Sequence, residues 1–317
     1  MARSGPVGIL IGTGTTGDRI GPIAARAEEV GFDEVWVAEE YVGYGGFSAA
    51  AIALAATRQS TVGLGIINTV SRPPAVTAME IATLARAFPG RFLPVIGHGA
   101  PWKIGLTVRS PLTELDGAIR TVRGLLGGET IAGVTLPHPV DPALALLAGV
   151  MRPKSLELSG RVADGTLISV LGGPRYLEQS WGPIQAGMVE GGRTEHRMPV
   201  YVLCHVDPDR AAARTSLRPL IAYYLARIGP SNPLSAAYGY ADAIADMVAR
   251  GGVETVEREM PDSWIDALAV AGNPDDVIAG FQRFREAGAT SIIAVPLQNR
   301  TEQQMEALAA SVLPRLP

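Results

Sequence analysis

The chain has 317 residues, 47% of them hydrophobic and 18% charged, with a formal net charge of −4 and a single cysteine, Cys204. That balance contains no basic block, which excludes a surface built to neutralise nucleic-acid phosphates. The lone cysteine excludes an intramolecular disulfide and a cysteine-built metal site. No run of about 18 uncharged apolar residues marks a membrane span.

No metal is expected. Met1-Ala2-Arg3-Ser4-Gly5-Pro6 lacks the apolar centre of a signal peptide, so the expected location is the cytoplasm. A chain this long buries a large core unaided.

Val7–Ile11 reads as a short buried strand. It runs into Gly12-Thr13-Gly14-Thr15-Thr16-Gly17, a G-x-G-x-x-G match, and then a helix over Ile20–Val30. Strand, glycine loop and helix is the context of a dinucleotide fingerprint, and equally of an ordinary strand-to-helix loop. Gly31 ends the helix. Val35–Ala38 is the second strand, closing in Glu39-Glu40-Tyr41, with Tyr44 beyond. Adjacent carboxylates at a strand end point to opposite faces, so only one of the pair can serve a site. Phe47–Thr57 is an alanine-rich helix.

Val62–Ile67 is the third strand, with Asn68, Thr69 and Ser71 at its end. Arg72-Pro73-Pro74 stops it and opens a helix, since proline suits a first turn. Phe92–Ile96, the fourth strand, ends in Gly97-His98-Gly99. Glycines there let a ligand approach the backbone. A helix over 112–126 and a turn-rich stretch over 130–142 follow. Ala143–Ala148 is the fifth strand and Thr166–Val170 the sixth. The sixth leads into Leu171-Gly172-Gly173-Pro174, where backbone N–H groups at a helix start suit an anion. Pro199–His205 is the seventh strand. The stretch 220–271 reads as a mainly helical excursion. Asn273-Pro274-Asp275-Asp276 is a helix start, and Ser291–Pro296 is the eighth strand.

Eight strands alternating with helices over residues 1–317, without a linker, predict one α/β domain: a (β/α)8 TIM barrel with a helical insertion between strands seven and eight. In a barrel the glycines after strand one are simply part of the ligand-binding face.

Several segments carry a resemblance. They are A-R-A-E-E-V-G-F-D-E-V-W-V-A-E-E (25–40), V-G-L-G-I-I-N-T-V-S-R-P-P-A-V-T-A-M-E (62–80), G-R-F-L-P-V-I-G-H-G (90–99), and the stretches 152–169 and 271–297. In this order they resemble the bacterial-luciferase-like superfamily, and most nearly its branch of F420-dependent enzymes related to methylenetetrahydromethanopterin reductase.

The resemblance implies an oxidoreductase that moves a hydride between the deazaflavin F420 and a small organic substrate at the C-terminal mouth of the barrel. The alternative it allows is an FMN-dependent two-component monooxygenase using FMNH2 and O2, and after that a barrel that binds cofactor without catalysis. Cofactor contacts would come from Ala38, Glu39, Gly65, Ile66, Asn68, Thr69, Gly97 and Gly99, and the phosphate would sit on Ser169, Gly172 and Gly173. A non-prolyl cis peptide is expected within Leu64-Gly65-Ile66. Family members often pair a carboxylate with a histidine after strand two. This chain has Glu39-Glu40 instead, so the expected proton carriers are Glu40, if burial raises its pKa, and His98. Tyr44 and Trp102 are the expected substrate contacts. A homodimer packed through the helices at 46–57 and 75–87 is implied, with a separate flavin or F420 reductase supplying reduced cofactor.

Overall fold

A computed structural model describes residues 5–41, 43–141, 144–229 and 232–317. Among the described residues nine strands are formed: β1 (Val7–Ile11), β2 (Glu34–Val37), β3 (Thr61–Asn68), β4 (Phe92–Gly97), β5 (Leu147–Gly149), β6 (Gly165–Leu167), β7 (Pro199–Val206), β8 (Val270–Gly272) and β9 (Ser291–Val295). Every pairing is parallel, in the order β6-β5-β4-β3-β2-β1-β9-β7-β8.

The two sides of this curled sheet meet. Isolated bridges join Gly165 to Arg197 and Ile168 to Val200. Their bonds include Ile168 N–H to the Pro199 carbonyl at 2.9 Å and Tyr201 N–H to the Ile168 carbonyl at 3.0 Å. The result is the expected (β/α)8 barrel, with β9 as its eighth wall strand.

Helices follow the strands: α1 (Gly17–Glu29), α2 (Gly46–Ala56), α3 (Pro74–Ala87), α4 (Pro111–Leu126), α5 (Pro153–Val162) and α6 (Pro174–Glu190). The insertion comprises α7 (Arg210–Ile228), α8 (Pro233–Ala236), α9 (Ala241–Glu259) and α10 (Asp262–Leu268). Then come α11 (Pro274–Glu286) and, after β9, α12 (Thr301–Ser311). Prolines open α3, α4, α5, α6, α8 and α11, where a missing N–H costs nothing. Asn273 and Asp276 form a reciprocal capping box on α11.

Three boundaries depart from the sequence reading. The fifth strand is Leu147–Gly149 rather than 143–148: the Leu146 N–H is drawn to the Asp164 carboxylate instead of a neighbouring strand, and Ala143 lies outside the described residues. The sixth strand is three residues long. The insertion ends in β8, a three-residue strand on the end of β7, too short to announce itself by periodicity.

The strands sort their side chains by alternation. Val35, Val37, Val62, Leu64, Val200 and Val202 join the core beneath the helices. Leu10, Trp36, Leu93, Val95, Leu147, Leu167, Tyr201 and Ile293 fill the lumen. Glycines on β3 make room for the largest of these. A Cβ on Gly63 would lie 2.3 Å from the Trp36 ring, and one on Gly65 would lie 2.5 Å from the Tyr201 hydroxyl. The peptide between Gly65 and Ile66 is cis, as expected, and the β3–β4 register shifts there. Among the described residues no helix is long and apolar enough to cross a membrane.

Candidate active site

The lumen is sealed low down by a paired polar network. The Trp36 indole and the Ser291 hydroxyl both donate to Oε2 of the buried Glu34, each at 2.7 Å. Burial pushes the Glu34 carboxyl above its ordinary pKa, and the two donors only partly offset this. One layer higher the Tyr201 hydroxyl donates to the Gly65 carbonyl at 3.3 Å, with its ring edge-on to Trp36.

Above this layer the register shift turns Ile66 into the lumen. Its side chain lies over Gly97 and Gly149, where a Cβ would come within 2.8 Å and 2.4 Å of it. Ile66 is half-buried, so it forms a platform at the mouth. Beside it is Asn68, only 1% exposed, with neither amide atom hydrogen-bonded. Gly99, at φ 64°, leaves room for that amide: a Cβ would lie 1.9 Å from its Oδ1. An amide buried with both ends unsatisfied costs about 1–3 kcal/mol unless a ligand supplies partners. A flat platform beside an unsatisfied donor and acceptor suits a planar ring with a polar edge.

Arg72 divides the carboxylate pair. It clamps Glu39 with two hydrogen bonds, one of 2.7 Å, while its Nε lies 3.2 Å from Glu80 and its guanidinium sits over Phe47. Glu39 therefore braces the ends of β2 and β3. Glu40 faces the opening, with its side chain 44% exposed and 3.3 Å from Lys103. The burial expected of Glu40 is absent. Glu39, Glu40 and Arg72 line a cleft of about 270 Å³ with Tyr41, Tyr44 and Ser71. Tyr224 of the insertion lies near enough for the Glu40 charge to add to burial in raising its phenol pKa, so α7 reaches the mouth. A larger cleft of about 530 Å³ lies between α7 and α9, lined by Arg218, Glu254, Arg258 and Asp262. Neither cleft is lined by Ile66 or Asn68, so cleft size does not locate the site.

His98 does not face the lumen. Alternation along β4 turns it outward, where Thr69 Oγ1 lies 2.8 Å from Nδ1 and the Pro111 carbonyl 2.8 Å from Nε2. The carbonyl can only accept, so Nε2 holds the proton and Nδ1 accepts from the Thr69 hydroxyl. Both His98 and Thr69 are thus engaged in joining β3, β4 and α4. Tyr44 is likewise committed: its hydroxyl donates to the Ile11 carbonyl at 2.6 Å and accepts from Ala38 N–H at 3.2 Å. Burial pushes its pKa up to about 12. The Trp102 side chain lies outside the described residues; its backbone is in the short 3-10 turn Pro101–Ile104.

Ser169, Gly172 and Gly173 stand together in the loop before α6. Two amides there are taken: Gly172 N–H donates to the Ser169 carbonyl at 3.2 Å, and Arg175 N–H, in the first turn of α6, donates to the Tyr238 hydroxyl at 3.1 Å, against which Gly173 packs. Tyr238, Tyr240 and Trp264 then stack on one another in the insertion. Sequence reasoning does not single out Tyr201 or His205. The available signal was their shared parity on β7, four residues apart.

The sequence pattern of luciferase-like monooxygenases matches residues 5–291. The chain belongs to that family. It is 27% identical over 311 residues to the 5,10-methylenetetrahydromethanopterin reductase of Archaeoglobus fulgidus, covering 92% of this chain and 93% of the relative. Among solved structures, the coenzyme F420-dependent tetrahydromethanopterin reductase of Methanopyrus kandleri superposes with a TM-score of 0.85 at 22% identity, over 99% of both chains. A flavin-bound oxygenase has a similar fold. The FMN complex of the oxygenating constituent of 3,6-diketocamphane monooxygenase, from Pseudomonas putida, gives a TM-score of 0.73 at 17% identity, over 100% of this chain and 99% of that one.

Proposed function

We propose that this chain is an F420-dependent oxidoreductase that transfers a hydride between the deazaflavin and a small organic substrate. The observation that carries the reading is the Asn68 amide, buried without partners beside the Ile66 platform. The likeness to F420-dependent reductases over 92% of the chain supports it.

The deazaflavin, when bound, supplies the hydride-carrying carbon. The chain positions and protects it. Ile66 supports one face of the ring and Asn68 pairs with its polar edge, with Ala38 beside them; Gly65, Gly97 and Gly99 serve by leaving room for Tyr201, Ile66 and Asn68. Ser169, Gly172 and Gly173 hold the phosphate, helped by Arg175, which makes no ion pair among the described residues. Arg72 keeps Glu39 occupied. Glu40 is then the carboxylate at the mouth left to face substrate. Its pairing with Lys103 lets it change partner without leaving the surface of the cleft. The insertion, through Tyr224, screens the mouth from water.

Titration of the full chain with F420, followed by deazaflavin fluorescence and by melting temperature, tests the reading. At a ligand concentration of about 100 Kd, binding adds about 2.7 kcal/mol and raises the midpoint by several degrees. Absence of both signals would sink the assignment. The FMN complex of a similar fold favours a second reading, a monooxygenase fed by a separate reductase. FMN binding together with oxygen uptake on supplied FMNH2 would establish that one instead.

We further read residues 1–317 as one domain, working in the cytoplasm on reduced cofactor delivered by a separate enzyme. We also assign a homodimer through α2 and α3, which expose Ile52, Val76 and Met79. A sedimentation mass of one chain would refute the dimer.

A further inference from the structure

The contacts assigned above come from the ends of β2, β3, β4 and β6. The opposite wall, β7, β9 and β1, has no assigned ligand. It nevertheless carries the second side chain, among the described residues, whose polar atoms are all buried and unpartnered. His205 is 1% exposed, and neither ring nitrogen has a hydrogen-bond partner.

Strand geometry places it. Side chains alternate along β7, so His205 shares the lumen face of Tyr201, four residues nearer the C-terminal end. Tyr201 reaches across to the Gly65 carbonyl. Asn68 stands three residues beyond Gly65 on the far wall. In the closed order of strands β3 and β7 are opposite one another. Asn68 and His205 therefore stand on facing walls above the same cross-lumen bond, each with unspent hydrogen-bonding capacity. No other lumen residue described has this property. Burial lowers the His205 pKa, and the nearby Arg300 guanidinium adds to that while Asp207 opposes it. The ring is held neutral, able to donate once and accept once. Arg300, at the end of the short 3-10 turn after β9, makes no ion pair among the described residues.

We propose that His205 binds substrate: it hydrogen-bonds a polar group of the substrate from the wall facing Asn68, with Arg300 beside it to attract an anionic or strongly electronegative substituent. This deepens the reading above and rests on it for the position of the cofactor. Cofactor and substrate divide the mouth, one wall each. The substrate class is a small organic molecule with an oxygen or nitrogen function at the end bound by β7, rather than a wholly apolar one.

The test compares wild type, His205→Met, His205→Gln and Asn68→Ala as full chains. Met keeps the volume and removes the unsatisfied nitrogens, so the ligand-free His205→Met chain is expected to melt about 2 °C higher than wild type. Its F420 dissociation constant, read by fluorescence, stays within twofold, whereas Asn68→Ala weakens F420 at least tenfold. With reduced F420 and 5,10-methylenetetrahydromethanopterin as the probe, His205→Met raises KM at least tenfold and changes kcat less than threefold. His205→Gln recovers a substantial part of that KM.

A lower melting temperature in His205→Met with unchanged KM would make the histidine a packing residue and overturn the proposal. Loss of F420 affinity equal to that of Asn68→Ala would move His205 to the cofactor wall and overturn it too. Failure of wild type to bind F420 is a separate result. It removes the proposed function, while the melting comparison still decides whether His205 is held for a ligand.

Discussion

The lower lumen and the mouth are built from the same eight strands, yet they treat polar atoms in opposite ways. In the lower lumen each polar group is paired: Glu34 with Trp36 and Ser291, and Tyr201 with the Gly65 carbonyl. At the mouth, Asn68 and His205 are buried and unpaired. Paired groups cost little to keep, whereas unpaired ones are a standing cost that only a bound partner removes. The lower layers hold the barrel together; the upper layer is prepared for something that arrives.

This contrast can be broken by substitution. The largest effect is expected below. Trp36→Ala empties the space between Gly63 and Tyr201 and should cost about 3–5 kcal/mol in denaturant unfolding. A loss under 1 kcal/mol would mean that the lumen does not carry the fold. Next comes Asn68→Ala, where the two regions should diverge. Stability is unchanged or slightly raised, while F420 affinity falls at least tenfold, about 1.4 kcal/mol. Parallel losses of both would place Asn68 among the structural groups. Tyr201→Phe removes one hydrogen bond and leaves the Gly65 carbonyl without that donor, for a loss of roughly 1 kcal/mol in unfolding.

The smallest effect sharpens the lower half. Glu34 has a raised pKa in the folded chain, so the folded state binds the extra proton. Its contribution is fully present below the ordinary carboxylate pKa and is lost as pH rises through the raised value. Glu34→Gln can still accept from Trp36 and Ser291 without a buried charge. Its melting temperature should exceed that of wild type at pH 8, and the gap should close as the pH falls below 4. A gap that widens toward acid would show that the carboxylate, rather than its neutral form, is what the pocket stabilises.

Much of the fold was legible because it rests on local signals. Pro73-Pro74 and Asn273-Pro274 mark helix starts by backbone chemistry alone. The apolar runs at 7–11, 62–67 and 92–96 are buried on both faces and read as continuous strands. The parts that stayed hidden depend on what lies across space. β8 exists only because β7 runs on past its bridges to the β6 side and offers a free edge there. The glycines of V-G-L-G on β3 look like weak strand residues until Trp36 and Tyr201 are seen to fill their places. The site follows the same division. Asn68 and the Gly-His-Gly turn were visible as strand ends, but the outward face of His98 depends on Pro111, thirteen residues away. The division of labour between Glu39 and Glu40 depends on Arg72 and Lys103, which no spacing rule connects to them.

The ion pair at Lys103 has one more consequence. Arginine supplies nearly all the positive charge of the chain, and Lys103 and Lys154 are the only side chains with a primary amine. Both stand on the C-terminal rim, after β4 and at the start of α5. Amine-selective chemistry therefore addresses the entrance of this barrel and almost nothing else. The side chain that holds Glu40 is also the natural attachment point for a reporter of traffic through the mouth.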